Sequence, residues 1–190
     1  MTCVTCLLEE PSAKEMLMAV LPKLLSEDEF YFRFIIFEGK QDLDKNLERR
    51  LRGWLIPNTV FLIIRDQDSG DCAVLKSSLR TKVQSAGKDS RTIIRIACRE
   101  LESYYLGDLF AVEQGLEIPG LAVKQVQAKY RVPDTLGNPA DELKKLTSKK
   151  YQKVSGSRAI SQYLKLDGSN KSHSFGALVD GIQSIPRVGG

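Results

Sequence analysis

The chain reads as an α/β protein: a mostly parallel sheet of about four strands, flanked by helices, with a helical extension beyond it. Two observations carry that reading. Short apolar, β-branched runs alternate with helical patterns along the first part of the chain, the signature of βαβ units. Each apolar run also stops at acidic or polar residues and passes directly into a helix start. In such sheets ligands sit beyond the carboxyl ends of the strands. The acidic strand ends are therefore where function is expected.

The elements follow in order. Cys3-Val4-Thr5-Cys6-Leu7-Leu8 is a short buried strand closed by Glu9-Glu10. Pro11 and Ser12 suit a first helical turn, and Ala13, Met16, Leu17, Val20, Leu21 and Leu24 recur at helical spacing. Phe30–Phe37 is rich in aromatic and β-branched residues, a second strand, and a basic helix is expected from Leu43 to about Trp54. Pro57-Asn58 breaks the chain before a third strand, Val60–Arg65. Asp66-Gln67-Asp68-Ser69-Gly70-Asp71 has loop composition. A helix over Cys72–Ala86, a strand over Thr92–Ala97 and a helix over Ser103–Gln114 complete a core placed at 1–115. Prolines and glycines then punctuate shorter segments, including helical Ala140–Thr147, a lysine-rich tract and a final amphipathic helix. Residues 116–190 are read as a mainly helical extension packed on the core, fraying at its end from Pro186.

Composition narrows the class. A hydrophobic share of 42% and a charged share of 27% are ordinary for a folded soluble domain. The net charge of +4 permits a nucleic-acid partner without requiring one. Glu9-Glu10 interrupts the N-terminal apolar run too early for a signal peptide, and no stretch approaches the ~20 apolar residues of a membrane span. A cytoplasmic protein without a membrane partner is expected. Its four cysteines, on or beside apolar segments, suit reduced thiols. Cys3 and Cys6 form a C-x-x-C, but residues three apart on a strand face opposite sides, and no second metal-type pair accompanies them.

The acidic residues carry the chemistry. Asp66 and Asp68 stand two apart at a strand exit, a spacing that puts both on one side of an extended chain. With Glu9 from another strand end they could share a hard cation, Mg²⁺ or Mn²⁺, which takes oxygen ligands and leaves room for phosphate oxygens. Glu10, Asp42, Glu100 and Glu102 could support that centre. Each has a plainer reading: Asp and Gly favour turns, and acids near helix N-termini stabilise the helix dipole. Gly39-Lys40 is similar to a phosphate-binding turn but lacks the Walker spacing. Lys153, Ser155, Arg158, Asn170 and Ser172 are candidates for nucleic-acid backbone contacts, with an ordinary solvated surface as the alternative. His173 is a poor catalytic candidate.

These residues also carry a family resemblance. Leu7-Leu8-Glu9-Glu10-Pro11-Ser12 resembles the first motif of Toprim domains, and Arg65-Asp66-Gln67-Asp68 their Asp-x-Asp motif. The wider pattern resembles a Toprim-like bacterial family, domain of unknown function 4276. The resemblance rests on Glu9–Ser12, Phe37–Leu43, Arg65–Cys72, Glu100–Asp108, Ser155–Arg158 and Asn170–Phe175. It implies a Toprim fold and a metal-dependent nuclease of DNA or RNA, with Glu9 as acid/base or metal ligand and Asp66 and Asp68 as metal ligands. Related OLD-type proteins imply phage defence beside an ATPase partner. Glu10 stands where many Toprim proteins carry glycine, which leaves the choice between Glu9 and Glu10 open. The alternatives are a non-catalytic Toprim-like module binding nucleic acid or a partner protein, and a small-molecule phosphohydrolase using the same metal logic.

Overall fold

A computed structural model describes residues 1–186; most of the segment expected to fray, 187–190, lies outside the described residues. In chain order the elements are β1 (Thr2–Leu8), α1 (Pro11–Leu24), β2 (Phe30–Ile36), α2 (Lys40–Arg52), β3 (Thr59–Asp66), α3 (Cys72–Ser85) and β4 (Thr92–Ala97). Then come α4 (Glu102–Leu106), α5 (Leu109–Leu116), α6 (Ala128–Arg131), α7 (Pro139–Leu146), α8 (Lys153–Ser161) and α9 (His173–Gln183). The strands form one sheet in the order β2-β1-β3-β4. All pairings are parallel, with Leu8 opposite both Ile36 and Ile64, and Asp66 opposite Ala97. The predicted α/β class and mostly parallel sheet are those observed.

Strand alternation sorts the core into two layers. Val4, Cys6 and Leu8 with Val60, Leu62 and Ile64 face α1, and the same apolar cluster runs on through Tyr104, Val112, Ile160, Phe175 and Leu178 of the C-terminal helices. Leu7, Phe61, Ile63 and Ile94 face the opposite way, onto Leu43, Leu47 and Leu51 of α2 and Leu79 and Val83 of α3. Right-handed crossovers place helices in this way when the order reverses at β1. Each fully buried aliphatic side chain contributes roughly 1.5–3 kcal/mol. The extension is thus part of the larger core cluster.

The structure differs from the sequence expectation in three places. α2 starts at Lys40, three residues early, because Gly39 adopts φ +90 and Asp42 Oδ2 accepts the Glu38 N–H at 2.9 Å, closing the turn. The helix expected over 103–114 is two helices. Asp108, whose side chain accepts from Ala111 N–H, caps the second of them. Val154-Ser155-Gly156-Ser157-Arg158, polar by composition, lies inside α8; Gly156 is there because a Cβ would run into the Tyr151 ring.

Candidate active site

The order β2-β1-β3-β4 reverses between β1 and β3, and a crevice forms where connections leave a sheet in opposite directions. β1 ends at Leu8 and the chain turns away, whereas β3 continues two residues further. Asp66 N–H therefore has no ladder partner on β1, and Glu9 supplies one: its Oε2 accepts that N–H at 3.1 Å. Two acidic residues from different strands thus meet at the switch point, as the sequence requires if they are to act together.

Alternation then directs the Asp66 side chain to the same face as Ile64, toward the C-terminal helices. It is 8% exposed, and among the described residues its carboxyl has no hydrogen-bond or ion-pair partner. Burial raises its proton affinity well above the usual carboxylate range, and Glu10, Glu9 and Glu102 push the same way against Lys153. Glu9 is raised as well, by burial first, with Asp68 and Glu10 adding; the Asp66 N–H and Arg65 oppose. Glu102 is fully buried. Its Oε1 accepts from Tyr151 Oη at 2.8 Å, and its Oε2 has no hydrogen-bond partner among the described residues. Burial raises Glu102 too, with Lys153 and Tyr151 opposing.

Lys153, the first residue of α8, brings a cation to these acids. Its Nζ lies 3.1 Å from Glu10 Oε2. Burial disfavours its charge, but Glu102, Glu10 and Asp66 outweigh that, and its amine is pushed up to about 12. The extension therefore supplies one side of the crevice.

Asp68 is placed otherwise than the i, i+2 spacing suggests. That rule holds only while the backbone stays extended, and Asp68 has φ +53. The turn sends its carboxylate to Lys40 at the start of α2, Oδ2 to Nζ 2.8 Å. Glu9 lies between the two aspartates and feels both, through the Asp66 N–H and the Asp68 charge.

The remaining candidates divide. Glu10 accepts from Ser12 Oγ at 2.8 Å and pairs with Lys153, so it borders the crevice. Asp42 is occupied with the Glu38 N–H and Asn46. Glu100 Oε2 accepts Ala140 N–H at 2.8 Å and caps α7. Arg158 pairs with Glu15 at 2.7 Å, whereas Ser155 is exposed on α8. Asn170 bonds Tyr104 O and Ser172 N–H, and buried Ser172 caps α9 and donates to Asp134 at 2.6 Å. These two polar side chains hold the α9 approach together, Ser172 buried and Asn170 half-buried. Tyr151 is a crevice residue that sequence reasoning missed; a lone tyrosine after a lysine pair gives no signal of it.

A sequence model of one family, described as Domain of unknown function (DUF4276), matches residues 8–183. The chain belongs to this family. The matched span contains every residue of the crevice, from Glu9 to Lys153, so the family domain includes both the sheet and the extension. No curated protein and no solved structure matches the chain. Among the described residues, no helix is long and apolar enough to cross a membrane.

A metal ion can be tested against these side chains. Among the described residues, no three His, Cys, Asp or Glu groups are arranged to hold one, so a closed protein cage is absent there. Mg²⁺, however, commonly takes only one or two carboxylates and fills its shell with waters and substrate phosphate. Glu9 and Asp66 fit that open mode. The unpartnered Asp66 carboxyl and Glu102 Oε2 are buried oxygens whose charge a cation would relieve.

Proposed function

We propose that the crevice hydrolyses phosphodiester bonds in DNA or RNA with Mg²⁺ or Mn²⁺, as a Toprim-type nuclease. The observation that supports this most is the Glu9–Asp66 contact at the switch point, with the Asp66 carboxyl buried and unpartnered beside it. Glu9 and Asp66 would hold the ion, with Asp68 at the rim; the ion would neutralise phosphate charge and orient a water. Glu9, its proton affinity raised by burial, is placed to take the proton of the attacking water, the task of a general base. Lys153 can exchange Glu10 for a phosphate oxygen and so offset the charge that develops there. Glu102, held by Tyr151, favours the charged form of Lys153. A cytoplasmic setting and an ATPase partner in phage defence complete the reading.

The second reading is a non-catalytic module that binds nucleic acid or a partner protein. The ion pairs Lys40–Asp68 and Lys153–Glu10 favour it, since they already neutralise two of the acids. Incubating the protein with DNA and RNA panels and Mg²⁺ or Mn²⁺, against Glu9→Gln, separates the two. Cleavage is expected in the wild type and a loss of about 10²-fold or more in Glu9→Gln, the usual worth of a general base. Equal rates in both proteins would refute the assignment of Glu9. No cleavage of any panel member, with or without a partner ATPase, would favour the binding module.

A further inference from the structure

The extension also carries an open cleft of about 770 Å³, with Tyr151 among its lining residues. Its cations are Lys144, Lys145 and Lys149, and Asp141 is the acid among its lining residues. A strained turn assembles them. After α7 the Ser148 N–H returns to Lys145 O at 3.2 Å and the Lys149 N–H to Lys144 O at 2.7 Å. These are the two hydrogen bonds of a Schellman ending, which usually places glycine in the left-handed position. Here Ser148 and Lys149 both take it, at φ +50 and +66, at a cost of roughly 1–2 kcal/mol each for residues with a Cβ. The turn folds Lys149 back beside Lys144 and Lys145.

The three ammonium groups are exposed and, among the described residues, have no ion-pair partner. Unpaired lysines are common on this surface, and what sets these three apart is that one cleft gathers them. Tyr151 ties the cleft to the chemistry, since it lines the cleft and donates to Glu102. The cleft and the crevice therefore share Tyr151, and Lys153 follows it by two residues in the chain. An open cleft lined by several lysines suits a repeating phosphate backbone, which offers one charge after another.

We propose that this cleft holds the backbone phosphates that flank the bond cleaved at Glu9 and Asp66. The substrate class is then a polynucleotide extending beyond the scissile bond, not a small phosphate ester. The inference rests on the phosphodiester reading of the crevice, and a binding measurement tests it apart from catalysis. The protein in EDTA is titrated into labelled single- and double-stranded DNA and RNA, and anisotropy is followed across a salt series. In the triple variant Lys144→Gln/Lys145→Gln/Lys149→Gln the slope of log K against log salt should shrink by about 2–3, at 0.7–0.9 per phosphate contact. Manganese-dependent hydrolysis of bis(p-nitrophenyl) phosphate should be unchanged in that variant. The arm with the larger loss identifies the sugar of the substrate. Lysine-dependent binding without metal-dependent cleavage of any bound nucleic acid would sink the catalytic reading and keep the cleft. Wild-type protein that binds no nucleic acid, or a triple variant with unchanged affinity and slope, overturns the proposal.

Discussion

Asp66→Asn should greatly slow metal-dependent cleavage and, in the absence of metal, make the fold more stable at neutral pH. The two effects have one cause. Asp66 is buried, has no polar partner among the described residues, and lies close to Glu9, Glu10 and Glu102. An ionised carboxylate there is costly until a cation joins it. Its folded-state proton affinity is raised, so the folded chain binds more protons than the unfolded chain between the ordinary carboxylate range and the raised value. The associated stability is fully present below that ordinary range and is lost as pH rises through the raised value. Glu9 and Glu102, raised by the same burial, act in the same direction. Asparagine removes the Asp66 charge while keeping the shape. A gain of about 1–3 kcal/mol near pH 7.5 is expected, at about 2–4 °C of melting temperature per kcal/mol for a chain of this size. Thermal unfolding in EDTA should show that gain shrinking toward pH 4, where Asp66 is protonated anyway. Added Mg²⁺ should stabilise the wild type by mass action and leave the variant unmoved. Loss of a ligand that stabilises the transition state should slow cleavage by about 10³-fold. A variant less stable than wild type at every pH would mean that Asp66 is ionised and well solvated, against this account.

The sheet was legible because its strands are short apolar runs ended by acids and helix starts, a local signal that needs no tertiary information. The two-faced core and the Glu9–Asp66 encounter needed the strand order and register, which no local signal sets. Asp68 was misjudged because spacing assumes an extended chain, and one left-handed residue redirects a side chain. Glu100 and Glu102, two apart, were read as equals. Glu100 caps α7 whereas Glu102 is buried in the crevice, a difference set by a helix arriving forty residues later. Asn170 and Ser172 match motif positions, but whether a polar residue faces solvent or closes a loop depends on what packs over it. Tyr151 became visible only once α7 and α8 were in place.

Gly115→Ala should be strongly destabilising, although alanine normally improves a helix interior by about 0.5–1 kcal/mol over glycine. α5 and α8 meet backbone to backbone at this position. A Cβ on Gly115 would lie 2.6 Å from the Cα of Ile160 and 2.8 Å from the carbonyl carbon of Ala159. No rotamer change relieves a clash with main chain, so α8 must move or the core must strain, at about 1–3 kcal/mol or more. Ile160 belongs to the larger core cluster and α8 also packs on α1, so a displaced helix opens contacts on two sides. The displacement reaches the crevice as well, because α8 begins with Lys153, two residues after Tyr151. Gly115→Ala should thus lower the melting temperature and reduce cleavage together, with the larger loss in steps that need Lys153. Gly176 in α9 provides the control. Nothing lies within 4 Å of a Cβ built there, so Gly176→Ala should stabilise by the usual helix increment and leave cleavage unaltered. Paired melting curves of the two variants decide the point: opposite shifts are expected, and two stabilising shifts would mean that α5 and α8 do not approach so closely in solution.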